Sequence, residues 1–176
     1  MKKTAPKGKT IGRWDATALI GLPVTVIDAA IEIREPGDEG GPSIAIPSLD
    51  EFSAAAALVR CQMRQRLRGQ EVAALRKIAG FRQRALSEAI GGETAVETIS
   101  RWETGDKPVG TYIERLVRIA ISEALKERAK GVAYSPAAIL TLAMVDAKRV
   151  PRIELRRRAK KVVVEAAASR EAAMAA

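Results

Sequence analysis

The chain contains no histidine and a single cysteine, Cys61, among its 176 residues. The absence of histidine removes the commonest general base, the commonest metal ligand and every histidine-dependent catalytic triad. One cysteine cannot form an internal disulfide, and no CxxC pair is present to hold zinc. Cys61 lies in "ALVRCQM", inside a segment expected to be helical, where a buried cysteine behaves as a small hydrophobic residue. We therefore expect no enzymatic activity, no catalytic residue, no cofactor and no metal.

Aromatic residues are equally scarce, at 3% of a chain that is 47% hydrophobic. The core must then be aliphatic, rich in Ala, Val, Ile and Leu, and such a composition favours helices. Few aromatic residues also disfavour binding of single-stranded RNA, in which stacking on the bases dominates recognition.

Long apolar runs and targeting segments are missing as well. The basic opening "MKKTAPKGKTIGRWD" is not followed by an apolar stretch, so it is not a secretory signal. The longest apolar stretch, "ALIGLPVTVIDAAIEI", is interrupted by Pro23 and Asp28 and is too short to span a bilayer. These features predict a soluble cytoplasmic protein of a bacterium or phage, associated with the nucleoid and without a membrane partner.

Positive charge is what the chain has in excess, with 30 Lys and Arg against 21 Asp and Glu and a net charge of +9. Such a surplus favours an anionic partner, with nucleic acid ahead of a membrane surface. Residues 128–176 carry 11 basic and four acidic side chains, whereas residues 1–47 carry six of each. Most of the excess therefore lies in the C-terminal part.

Local patterns predict a mainly α-helical chain of four parts. "VTVIDAAIEI" indicates a short hairpin and "SIAI" a third strand, whereas capped amphipathic helices follow from Ser48 onward. The fold expected is a small N-terminal β-rich region, a lambda-repressor-like helix-turn-helix bundle and C-terminal helices. The parts are a flexible basic tail, 1–12; the β-rich region, 13–47; the helical DNA-binding domain, 48–127; and a basic helical extension, 128–176.

Several details of the helices follow from the same patterns. "SLDE" at Ser48 and "TAVE" at Thr94 predict capping boxes, and "YSP" predicts an N-cap at Ser135. The first long helix also carries a cluster of arginines, which we interpret as a solvated face: Arg60, Arg64, Arg66 and Arg68. An apolar stripe over 113–125 predicts either a dimer surface or a face covered by residues 136–145.

The stretch "ETISRWETGDKPV", residues 97–109, contains the most specific signal. Two short helices joined by a Gly-containing turn, the second with exposed polar residues, make a helix-turn-helix. An α-helix fits the major groove of DNA, where the base edges carry a distinguishable code. The apolar face should anchor this helix through Val96, Ile99 and Trp102. The opposite face carries Glu97, Thr98, Arg101 and Thr104.

From Leu75 to Gly105, "LRKIAGFRQRALSEAIGG…TISRWETG" resembles the Xre/Cro-type helix-turn-helix family. The likeness is nearest to the MqsA-type antitoxins and their zinc-free relatives, and extends more weakly over residues 20–120. It implies DNA binding by a recognition helix at about 95–104. The chain lacks the zinc-binding domain of those antitoxins, and its turn before "TISRWE" is about two residues longer than the family pattern.

The resemblance assigns contacts residue by residue. Gln83 matches a family Gln that hydrogen-bonds a phosphate, and Arg101 matches an Arg suited to a bidentate contact with guanine. Glu97 either accepts from the amino group of cytosine or only caps the helix with Thr94. Lys107 is either a phosphate contact or an ordinary exposed lysine. The expected DNA-binding residues are Arg82, Gln83, Arg84, Thr94, Glu97, Thr98, Arg101 and Lys107.

A second basic segment, "KRVPRIELRRRAKK" at 148–161, has eight basic residues against one acidic residue. A helix with a thin apolar stripe is expected there. It is either a solvated surface helix or an auxiliary element that binds phosphates without reading sequence. The auxiliary phosphate-binding residues expected are Arg152, Arg156, Arg157, Lys160 and Lys161.

These features predict a sequence-specific DNA-binding transcriptional regulator, a repressor, that binds double-stranded DNA as a homodimer. The alternative is an antitoxin of a type II toxin–antitoxin system, which binds a protein toxin through its N-terminal strands and autoregulates its operon. A third hypothesis is an RNA-binding or nucleoid-associated protein that works through its basic tail.

Overall fold

The fold is mixed α/β, so the expectation of a mainly α-helical bundle with C-terminal helices is wrong. The computed structural model describes residues 8–33, 42–149, 152–159 and 161–165. Its strands are β1 (Lys9–Asp15), β2 (Val24–Ile33), β3 (Ser43–Ala45), β4 (Ile153–Arg158) and β5 (Lys161–Val164). Its helices are α1 (Thr17–Ile20), α2 (Leu49–Cys61), α3 (Gly69–Ile78), α4 (Gln83–Ala89), α5 (Val96–Thr104), α6 (Thr111–Leu125) and α7 (Pro136–Leu140).

Strand β2 is the centre of a five-stranded sheet. Strand β1 runs antiparallel along one edge of β2, and the other edge pairs first with β4, in parallel, and then with β3, antiparallel. Strand β5 completes the sheet on the far side of β4. The hairpin expected within "VTVIDAAIEI" is wrong, because these residues form one continuous strand. Asp28 adopts the left-handed conformation (φ 52°) inside the strand, where β2 changes partner, and does not reverse the chain.

Strand β1, which pairs with one edge of β2, lies mostly in the segment expected to be a flexible tail, so that part of the expectation is wrong. Lys9 pairs with Glu32 and Asp15 with Thr25, so residues 9–12 of the expected tail are strand. The strand expected in "SIAI" is confirmed as β3.

The C-terminal helix expected through "ELRRRAKKVVVEAAAS" is wrong, since the described part of this segment forms the hairpin β4–β5. Ile153 and Leu155 are buried and their neighbours are not, which is the two-residue period of a strand. Arg158 pairs with Lys161 across a tight turn in which Ala159 has a φ of 53°. Three successive valines in β5 also favour a strand, because β-branched side chains pack well on a pleated surface.

Helix α2 forms the middle of the core. It packs against β4 and β5 as well as against α3 and α6, and every residue of the range 54–61 is buried. A helix buried all round needs small residues for close approach, and the four alanines at 54–57 supply them. The core therefore needs few aromatic side chains, and Phe52 is the aromatic residue that α2 contributes. Among the described residues, no helix is long and apolar enough to cross a membrane.

The two capping boxes expected from sequence do not form. Ser48 adopts a left-handed conformation without a side-chain cap among the described residues, and the carboxylate of Glu51 accepts from Arg157 instead, at 2.8 Å. Helix α5 is preceded by Ala95 as its N-cap, so Thr94 lies one residue too early to cap it. The N-cap at Ser135 is confirmed, because its hydroxyl accepts from the amide of Ala138.

Candidate nucleic-acid interface

Helix α5 is anchored through one face, as its sequence predicted. Ile99 is fully buried and Trp102 is 5% exposed, so both sit in the core shared with α3 and α4. Val96 was expected as a third anchor, but it is 37% exposed. It lies in the first turn of α5, beyond the reach of the core, and that part of the expectation is wrong.

Two glycines fix where α5 ends. Gly105 has a φ of 85° and closes the helix with its amide bonded to the carbonyl of Trp102, so the predicted stop is confirmed. Gly69 begins α3 directly against this turn. A Cβ at position 69 would lie 2.5 Å from the carbonyl oxygen of Trp102 and 2.8 Å from that of Glu103. Only glycine allows the start of α3 to lie so close to the end of α5.

Glu103 joins the three helices around this turn. Its carboxylate accepts from Arg76 of α3, at 2.5 and 3.1 Å, and from the side-chain amide of Gln83 in α4, at 2.9 Å. Arg76 also donates to the carbonyl of Phe81, which starts the turn into α4. Burial raises the pKa of Glu103, but the hydrogen bonds from Arg76 and Gln83 outweigh it and leave the pKa below its ordinary value. The carboxylate is therefore held in its charged form.

Gln83 is thus oriented by the protein itself. One N–H of its amide is used by Glu103, and a side-chain amide carries two N–H groups and an oxygen. The phosphate contact of Gln83 stays a prediction. The second N–H of its amide would be the group that donates to the phosphate.

The outer face of α5 carries the polar residues expected there. Glu97, Arg101 and Thr104 are exposed and Thr98 is half-buried. The hydroxyl of Thr104 donates to the carbonyl of Arg101 at 3.2 Å and to Asp106 at 2.6 Å. The Arg101 guanidinium forms no hydrogen bond or ion pair with any residue that the structure describes. It is an unengaged, planar, permanently charged donor group on the helix surface.

Other cations flank this face. Arg82 and Arg84 lie at the start of α4 and are exposed, and Lys107 follows the end of α5. Arg84 pairs with Glu88 one turn later, at 3.2 Å, but both side chains are mostly solvated, so the pair is weak and easily exchanged. Thr94 is half-buried before α5. The helical unit thus brings the expected residues around α5, whereas their contacts with DNA stay predictions.

The auxiliary set expected in the C-terminal segment is arranged differently. Arg156 and Arg157 lie on β4 and Arg152 directly precedes it, so successive side chains of the strand point to opposite faces of the sheet and the set does not share a helix surface. Arg152 pairs with Asp15 at 2.7 Å and Arg156 with Asp28 at 3.4 Å. Arg157 pairs with Glu51 and lies over the ring of Phe52.

The two lysines of that set differ from its arginines. Lys161 is exposed, and Lys160 lies outside the described residues. The arginines of the set thus have partners within the fold.

A buried ion pair ties α2 to α3, and the sequence did not reveal it. The sequence predicts Arg60 on a solvated face, but its side chain is fully buried, so that prediction is wrong. Its guanidinium binds both oxygens of Glu71, at 2.6 and 2.9 Å, and donates to the carbonyls of Gln65 and Arg66. The missed signal is the position of Arg60 between Val59 and Cys61, inside an otherwise apolar run.

A second buried pair lies on α6. Glu114 and Arg118 are one helical turn apart, with side chains 1% and 0% exposed. Arg118 donates to Glu114 and to the carbonyls of Cys61, Met63 and Gln65, whereas Glu114 also accepts from Arg66 and from the amide of Leu67. Burial raises the pKa of the neighbouring Cys61 to about 11, so this thiol is a buried neutral group, as expected.

The outer face of α6 leaves an apolar groove against α4. Val117, Ile121 and Leu125 face the core, and α7 packs against α6 with Arg115 donating to the carbonyl of Leu142 at 3.1 Å. A groove of about 710 Å³ stays open. It is lined by Phe81, Ile90, Tyr112, Leu116, Ile119, Ala120 and Ala124, among others. Within the described residues, the stripe over 113–125 is therefore only partly covered.

No family model, curated protein or solved structure matches this chain. The resemblance to the Xre/Cro-type family stays a prediction, and the site is interpreted from its own geometry.

Proposed function

We propose that the chain is a sequence-specific DNA-binding transcriptional regulator, acting as a repressor, with α5 in the major groove. The observation that carries the proposal is Arg101. Its guanidinium is exposed, and within the described residues it has no partner, although Ile99 and Trp102 of the same helix are buried. A planar fork of donors matches the O6 and N7 acceptors of guanine. Glu97, one turn earlier on the exposed surface, can accept from the amino group of cytosine.

Phosphate contacts beside α5 would fix its register. Arg82, Gln83 and Arg84 at the start of α4 are placed to bind one strand, and Lys107 follows the end of α5. These contacts would position the protein without reading sequence, leaving discrimination to Arg101 and Glu97.

A homodimer would bring two copies of α5 to successive major grooves, roughly 34 Å apart on a palindromic site. The open groove between α4 and α6 supports this assembly. Its apolar lining includes Tyr112, which is 65% exposed, and exposed apolar surface of this kind is common at protein interfaces.

Selection from randomised DNA duplexes by the purified chain tests the proposal. The unaltered protein should enrich one palindromic sequence. Arg101→Ala should lower affinity for that sequence by about 1–3 kcal/mol, roughly 5–150-fold, and leave binding to random DNA nearly unchanged. Arg101→Lys is the matched control, because it retains the charge but loses the bidentate geometry. It should lose discrimination while the salt dependence of binding stays as in the parent.

Two results would contradict the proposal. One is the absence of any enriched sequence at moderate salt. The other is an Arg101→Ala protein that selects the same sequence with parental affinity, which would show that α5 does not read the bases.

The antitoxin alternative is favoured by a different observation. Strand β1 pairs with β2 alone among the described strands, and its residues are mostly exposed, so one edge is open to a partner strand. A small basic reading frame beside the gene would supply the toxin. Co-expression of the two should then give a stable complex that is lost when Lys9–Asp15 is changed to disfavour pairing, for example by Gly12→Pro.

A further inference from the structure

Three cations gather at the start of α3, outside the residues assigned to DNA so far. Arg68, Lys148 and Arg149 line a single cavity of about 380 Å³, together with Thr17 and Gln70. Arg68 is the N-cap of α3, and the other two belong to the chain that follows α7. Residues 80 positions apart in the sequence thus present positive charge to the same space.

The charge of this cavity is not neutralised within the described part of the chain. Arg68 donates to the backbone carbonyls of Ala147 and Lys148, and its guanidinium pairs with no carboxylate among the described residues. The side chains of Lys148 and Arg149 are exposed and form no hydrogen bond or ion pair with a described residue. Glu71 also lines the cavity, but both of its oxygens are bound by Arg60.

The backbone contact of Gly69 places this cavity beside the proposed DNA-reading helix. Gly69 follows Arg68 directly and packs against the backbone of Trp102, Glu103 and Gly105. Because Gly69 stands between two lining residues of the cavity, Arg68 and Gln70, the cavity lies close to the turn that leads from α5 to Lys107. It also lies at the positive end of the ten-residue helix α3, which favours an anion there.

We infer that Arg68, Lys148 and Arg149 bind the phosphate backbone of the same DNA duplex, as a second contact that raises affinity without reading sequence. The inference rests on the proposed function. It assigns the auxiliary role expected for the C-terminal basic segment to the start of that segment. The arginines of β4, in contrast, are held by Asp15, Asp28 and Glu51.

The double variant Lys148→Gln, Arg149→Gln tests this contact. Each phosphate neutralised contributes about −0.9 to the slope of log affinity against log salt, so the slope should become shallower by up to roughly 1.8. Affinity for the selected sequence and for random DNA should fall by the same factor. Lys126→Gln, Lys130→Gln is the matched control, because it removes the same charge from two exposed lysines at and after the end of α6, where Lys126 pairs with Glu123. The control should leave the slope as in the parent.

Several outcomes separate the possibilities. An unchanged slope in Lys148→Gln, Arg149→Gln, or an equal change in the control, would overturn the inference even if Arg101 still governs discrimination. Stabilisation of the free protein by millimolar inorganic phosphate, lost in the variant without any change in the DNA slope, would assign the cavity to a small anion and also overturn the inference.

No DNA binding by the unaltered chain would overturn both the inference and the proposed function. If the double variant unfolds, Arg149→Gln alone should shift the slope by about half as much.

Discussion

The buried carboxylate of Glu114 binds the loop after α2, and its removal tests how much this contact stabilises the fold. One of its oxygens accepts from Arg118 at 2.6 Å and from the amide of Leu67 at 2.9 Å, and the other accepts from Arg66 at 3.0 Å. Replacing Glu114 with alanine removes the acceptor of all three donor groups together. Arg118, which is fully buried, would then keep its positive charge with only backbone carbonyls around it.

Removing one partner of a buried ion pair costs about 3–5 kcal/mol. Glu114→Ala should therefore lower the free energy of unfolding by that amount, a large share of the roughly 5–15 kcal/mol that stabilises a typical domain. In a chain of this size the melting temperature should fall by roughly 6–20 °C, measured by circular dichroism with reversibility checked.

The chain offers a matched control. Glu88 also pairs with an arginine one helical turn away, Arg84, but its side chain is 65% exposed. Glu88→Ala makes the same chemical change on a helix surface and should leave the melting temperature nearly unchanged. Equal, small effects of the two variants would refute the claim that Glu114 neutralises a desolvated guanidinium.

Two further variants test the anchoring of α5. Trp102→Ala should lower the free energy of unfolding by about 3–5 kcal/mol, because Trp102 is almost fully buried; an unchanged melting temperature would contradict that burial. Glu103→Gln should weaken the acid dependence of stability: since the pKa of Glu103 is lowered in the folded chain, its contribution is complete above the ordinary value of 4.5 and is lost as the pH falls below it. Urea midpoints between about pH 6 and pH 3 measure this, and parallel profiles for the variant and the parent would contradict it.

The helices from α3 to α6 could be predicted because their signals are local. Apolar residues recur at helical spacing, and glycine marks the ends, as at Gly80 and Gly105 with φ of 78° and 85°. The burial of Ile99 and Trp102 follows from the same spacing. Val96 shows the limit, because a residue in the first turn can match the period and still project beyond the core.

The strands could not be predicted in the same way, because their partners are distant in the sequence. Strand β4 pairs with β2 from Val24–Ile153 to Ile27–Arg156, across more than a hundred residues. Leu155 and Ala159 are four residues apart and imitate a helical stripe, yet Ala159 lies in the turn of a hairpin. The prediction of a solvated Arg60 is wrong for a related reason. Its burial depends on an ion pair with Glu71, which belongs to another helix.

The basic side chains fall into two groups, those paired with carboxylates inside the fold and those without such a partner among the described residues. Only their contacts distinguish the two groups. Arginines such as Arg60, Arg118 and Arg157 meet carboxylates inside the fold, so most of their charge is neutralised before any partner arrives. Arg101 and Arg149 have no such partner among the described residues and stay available to an anion. Net charge alone cannot tell these groups apart, although it favours nucleic acid for the whole chain. Arg101 lies on α5, and Arg149 lines the cavity at the start of α3, which packs against the end of α5; the interface is therefore sought there and not on the arginine-rich strand β4.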